Sequence, residues 1–66
     1  MQKETKIKLK ELLQNEFNAI DWSKEYIYQE ARTLILAALD LGFNRMAKDF
    51  TSVSRAEGYN YKHLQW

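Results

Sequence analysis

Apolar positions along the chain recur at helical intervals in three blocks. In the first, Leu9, Leu12, Leu13, Phe17 and Ile20 share one side of a helix when successive residues are rotated by about 100°. This predicts a helix over 3–19. Ile7 points away from that side. Lysines gathered at the helix start oppose the macrodipole, so the first two turns are expected to be loosely held.

The second block, YIYQEARTLILAALDLG, predicts a helix over 22–41 with Asp21 as its N-cap and Gly42 as the residue that ends it in the left-handed conformation. Its apolar arc is unusually wide. Ile27, Ala31, Leu34, Ile35, Ala38 and Leu41 form the centre, Tyr28 and Leu39 extend one edge, and Tyr26 and Ala37 extend the other. The polar remainder is a strip of Gln29, Thr33 and Asp40, with Glu25 and Arg32 beside it and Leu36 inside it. A helix this apolar is expected at the centre of a bundle, touched from two sides. The short connection over 20–22 makes it an antiparallel neighbour of the first helix.

In the third block Phe43, Met46, Phe50 and Val53 recur at helical spacing, predicting a helix over 44–57 capped by Asn44 and closed by Gly58. Ser54 and Glu57 have capping-box spacing, so a break at Thr51–Ser54 competes with the continuous helix, which is the favoured reading. The tail YNYKHLQW, 59–66, is aromatic and has no assignable period. The expected fold is all-α: a small three-helix domain with helices at 3–19, 22–41 and 44–57, the middle one central, in one domain over 1–66.

Composition sharpens this picture. Proline is absent and glycine occurs twice, while good helix formers dominate. A chain of 66 residues buries only about 60% of its unfolded surface. Domains of this size commonly add a disulfide, a metal or a partner. Cysteine is absent and His63 is the single histidine, so disulfides and thiolate or histidine-rich metal sites are excluded. Close helix packing, self-association or a partner remains. The basic start lacks the apolar run of a secretory leader, and the apolar run 34–39 is far short of a membrane span, so a cytoplasmic protein with no membrane partner is expected.

The net charge of +1 is unevenly spread. Residues 1–10 hold four lysines against one glutamate, residues 11–40 two basic against six acidic side chains, and residues 41–66 four basic against two acidic ones. This suits internal or intersubunit complementarity better than the whole-domain basic footprint of a strong nucleic-acid binder.

Catalytic chemistry finds few parts. His63 is the only conventional base and lies in the tail with no nucleophile beside it. Glu16 falls within the apolar arc of the first helix and Glu30 borders Ile27 and Leu34. Such carboxylates could serve as acid or base, or face each other across a hard cation, but the rim of a helix contact is their more ordinary place. A non-enzyme with no cofactor, no metal and no small-molecule substrate is expected.

Two binding readings remain. Arg45, Lys48, Ser52 and Arg55 form a basic stripe on the third helix, and Lys3, Lys6 and Lys10 a second one on the first, as a helix meeting DNA phosphates requires. The segment MAKDFTSVSR loosely resembles the helix-turn-helix of small antitoxins and repressors, although Thr51-Ser52 stands where a single turn glycine is usual. That resemblance implies a dimeric DNA-binding regulator. The favoured reading is instead a regulator, adaptor or stoichiometric inhibitor working by protein–protein contact, with itself as a homodimer or with a larger protein. Its expected anchors are Tyr28, Arg32, Leu36, Tyr61 and Trp66, then Trp22 and Tyr26, because aromatic residues and arginine dominate interface hot spots.

Overall fold

The computed structural model describes residues 2–24 and 27–59, and among them the chain is all-helical. Three helices follow in order: α1 (Lys3–Asn18), α2 (Ile27–Asp40) and α3 (Asn44–Ala56). No helix among the described residues is long and apolar enough to cross a membrane. The tail from 60 onward and residues 25 and 26 lie outside the described residues, and with them the expectations placed on Tyr26, Tyr61 and Trp66.

α2 and α3 form an antiparallel hairpin. Their three-residue connection closes one end, and the Tyr28 and Tyr59 rings, 6.4 Å apart, close the other. The connection is a Schellman closure: Gly42 sits at φ +83°, its N–H donates to the Leu39 carbonyl at 3.0 Å, and the Phe43 N–H donates to the Ala38 carbonyl at 2.8 Å. The same motif ends α3, where Gly58 N–H donates to Arg55 and Tyr59 N–H to Ser54. Each closure delivers the aromatic residue after its glycine to the protein interior: Phe43 is buried, and Tyr59 packs against the core.

Small residues let the two helices approach. Ala31 and Ala38 of α2 and Ala47 and Ser54 of α3 are wholly buried, with Ile27, Ile35 and Phe50 filling the space between them. The buried hydroxyls are satisfied locally. Thr51 Oγ1 donates to the Ala47 carbonyl and Ser54 Oγ to the Phe50 carbonyl, both at 2.8 Å, so TSVS continues the helix rather than breaking it.

α1 lies across this hairpin on one side and buries Phe17 alone. The Phe17 ring stacks on Phe50, with centroids 4.1 Å apart and planes within 1° of parallel. Leu9, Leu13 and Ile20 pack partly against the core, whereas Leu12 is 58% exposed. Phe17 therefore rotates the contact direction of α1 toward Leu13 and away from Leu12.

Four local expectations change. α2 begins at Ile27, not at 22, because Asp21 builds a turn instead of capping a helix: its Oδ1 accepts the Ser23 N–H at 3.1 Å and the Ser23 hydroxyl at 2.6 Å, and its carbonyl accepts the Lys24 N–H. The connection from α1 to α2 is correspondingly longer than 20–22. Asn44 does not cap α3; Phe43 holds that place with no side-chain cap, since the Schellman closure leaves Asn44 already helical. Val53 is 45% exposed, because the buried stripe of α3 runs instead through Phe43, Ala47, Phe50, Thr51 and Ser54.

Candidate functional site

The side of the hairpin that α1 occupies is defined by what lines the clefts beside it. Glu16, Ala19 and Ile20 of the α1 end face Gln29, Glu30, Thr33 and Leu34 of α2 across an open groove of about 440 Å³. Gln14, Phe17 and Asn18 share a second cleft with Asp49, Phe50 and Val53 of α3. Leu34 and Phe50 each lie about 60° from the buried line of their helices, toward α1.

On α2, Tyr28, Arg32 and Leu39 lie about 60–100° from that line in the opposite sense, and Leu36 about 140°. On α3 the corresponding side carries Lys48, Ser52 and Arg55. Because the helices are antiparallel, both sets fall on the same side of the hairpin, the side away from α1. Two groups of residues that looked unrelated along the chain, Tyr28, Arg32 and Leu36 on one hand and Lys48, Ser52 and Arg55 on the other, thus share one face.

That face is basic and partly apolar. Lys48, Ser52 and Arg55 are exposed, while Tyr28, Arg32, Leu36 and Leu39 are half-buried. Tyr28 and Leu39 rest on the core, and Leu36 stands apart from the side chains that do. The acids of α3 turn elsewhere, Asp49 toward α1 and Glu57 past the helix end. Arg45 departs from its stripe: it lines a cleft at the start of α3 together with Lys6, Lys10 and Asp49.

Trp22 is half-buried, packs against the core and lines the second cleft, away from this face. Its ring meets Phe17 edge-on at 5.7 Å and Tyr59 at 5.9 Å, and Tyr59 in turn meets Tyr28. The lysines of α1 also gain a structural task. Lys6 and Lys10 place their ammonium groups 5.9 and 5.2 Å from the centre of the Phe43 ring, a cation–π arrangement that holds the start of α1 over the hairpin turn.

Glu16 and Glu30 are brought to opposite walls of the α1–α2 groove, as two facing carboxylates would be, but both are exposed. No group of three histidine, cysteine, aspartate or glutamate side chains that could hold a metal occurs among the described residues. Asp21, in the turn before α2, is held below the ordinary aspartate range by the Ser23 hydroxyl and backbone N–H.

No known protein family matches this chain, and it has no counterpart among the curated proteins or the solved structures compared with it.

Proposed function

We propose that the protein is a non-enzymatic helical binding module that acts by protein–protein contact through the side of α2 and α3 left uncovered by α1. One observation carries this reading. Leu36 is a leucine on a half-covered helix side, apart from the core, with Arg32 one turn and Tyr28 two turns before it along the same row. An apolar centre beside an aromatic ring and an arginine, rimmed by Lys48 and Arg55, has the anatomy of an interface patch.

DNA binding is the second reading, favoured by the exposure of Lys48, Ser52 and Arg55 on one continuous helix. Two features weigh against it. The α2–α3 pair is a close antiparallel hairpin, whereas the helices of a DNA-binding helix-turn-helix cross at about 90–120°. Arg45, Lys6 and Lys10 gather at the start of α3, at a distance from Arg55 of nearly three turns.

A photo-crosslinking residue at position 36, in cells that make the protein, tests the assignment, with position 4 as control. Covalent adducts to protein from 36 and none from 4 are expected. Absence of protein adducts, together with binding of generic duplex DNA that weakens steeply from low to moderate salt, would replace this reading with the second.

A further inference from the structure

We propose that the cleft beside the α2–α3 turn binds a small phosphate-bearing polyanion, with a diphosphate group held between α1 and the start of α3. The cleft shares no lining residue with the row of Tyr28, Arg32 and Leu36, so the site goes beyond the protein-contact reading and stands separately from it.

Three cations from two helices converge there. Lys6 and Lys10 come from α1, one turn or about 6 Å apart along it, and Arg45 comes from the first turn of α3. Asp49 is the one acid lining the cleft among the described residues, so positive charge is in excess. Among those residues none of the three cations forms an ion pair. The two ammonium groups are instead drawn over a single buried ring, 5.9 and 5.2 Å from the centre of Phe43. Like charges four residues apart on a helix repel each other. Here both are turned to the same ring, with a third cation on the same cleft, and a bound polyanion would offset that repulsion.

Charge and size narrow the ligand. A single carboxylate carries one charge at one point. A diphosphate spreads its charge over two centres and can meet the lysine pair and the guanidinium together. Arginine takes a phosphate through two parallel N–H groups, and lysine meets it as a point charge. The amides of Gln14 and Asn44 add neutral donors. The contacts with Phe43 keep both lysine side chains at the cleft before a ligand arrives, so less freedom is lost on binding. The cleft, about 380 Å³, has room for a diphosphate. A nucleic-acid backbone is matched less well, because Lys48 and Arg55 lie outside this cleft and the three cations form a compact cluster rather than a track. All three cations are exposed, so the expected Kd is modest, about 0.1 mM at low salt.

Calorimetric titration of the full chain with inorganic pyrophosphate at low salt, together with amide NMR shifts, tests the site. One-site binding that weakens with added salt is expected, with the largest shifts at Lys6, Lys10, Phe43 and Arg45. Lys6→Gln with Lys10→Gln should weaken it at least about tenfold and Arg45→Gln at least about fivefold, whereas Lys48→Gln with Arg55→Gln should change it by less than about twofold. Lys6 and Lys10 also hold α1 over Phe43, so Arg45→Gln, which leaves both of those contacts in place, keeps the test independent of folding. Circular dichroism melts accompany each variant. Adenosine diphosphate that binds as pyrophosphate does would assign the site to the phosphates alone, and tighter binding would assign it to a nucleotide; either result upholds it. No saturation by about 10 mM pyrophosphate overturns the proposal. Equal weakening by the Lys48 and Arg55 pair, which would reduce the effect to general surface charge, overturns it too, as do shifts confined to other parts of the chain. None of these results bears on crosslinks from position 36, so the two readings fail separately.

Discussion

Four side chains of α2 and four of α3 are buried, against Phe17 alone in α1, although α1 is the longest of the three helices. The hairpin seam is made of alanine, serine and threonine backed by isoleucine and phenylalanine, and backbone closures fix both ends. α1 is attached by one stacked ring, a few half-covered leucines and two lysines over Phe43. Leucine content is a poor guide to attachment here. Close approach by small residues orders the hairpin more completely than the larger apolar side chains order α1, because interiors tolerate few gaps.

Phe50 joins the two regions, so its loss should cost most. Phe50→Ala removes a wholly buried ring stacked on Phe17, at about 3–5 kcal/mol. At the usual per-residue margin a chain this short has roughly 3–10 kcal/mol in total. The variant should lose its cooperative thermal transition in circular dichroism. A transition retained within a few degrees of wild type would mean that α1 is not held through this ring. Ala47→Leu probes the seam alone. Extra methyl groups at a wholly buried crossing should cost about 1–3 kcal/mol in urea unfolding, whereas Leu12→Ala on α1 should change it by less than about 0.5 kcal/mol. Equal effects would erase the distinction between the two regions.

The ends of these helices were legible in the sequence where glycine stood, because few other residues accept the left-handed backbone that the closures at Gly42 and Gly58 need. The start of α2 was not. An aspartate that accepts an N–H two residues on can open a helix or build a turn, and the residue type favours both. Thr51 and Ser54 left a break open beside the favoured continuous helix; both hydroxyls turn back to their own helix and leave a small side chain for the crossing. Periodicity puts Leu12 on the same side of α1 as Phe17, but the stacked Phe17 ring turns the contact toward Leu13 and leaves Leu12 58% exposed. The basic stripe of α3 and the row from Tyr28 to Leu36 were both visible along the chain. That they meet on one face depends on the antiparallel pairing, which periodicity within a single helix does not contain.

The closure at Gly42 separates backbone strain from crowding. A Cβ built there meets nothing within 4 Å, and φ is +83°, so Gly42→Ala should cost only the left-handed penalty, about 1–2 kcal/mol. Gly58→Ala meets the same open space at φ +98° but sits at the last turn of α3, which can unwind to escape the strain. Its effect on the urea midpoint should be smaller. A larger effect at Gly58 would show that Tyr59 and the ring contacts it makes anchor the hairpin more firmly than the α2–α3 turn does.

The smallest effect belongs to the connection between the two regions. The Ser23 hydroxyl, and after it the Ser23 N–H, lower the titration of Asp21 beneath the ordinary value of 3.8. A carboxyl that titrates lower in the folded chain than in the unfolded one stabilises the fold above the unfolded value and loses that contribution as pH falls through the folded one. The turn should therefore be intact at neutral pH and loosen only in acid below 3.8. Side-chain carboxyl NMR should place the Asp21 midpoint under that value, and Ser23→Ala should return it most of the way, since the hydroxyl is the larger cause. An unchanged midpoint in Ser23→Ala would mean that the backbone N–H alone holds the turn. The aspartate would then join α1 to the seam through main-chain geometry, with the serine side chain dispensable.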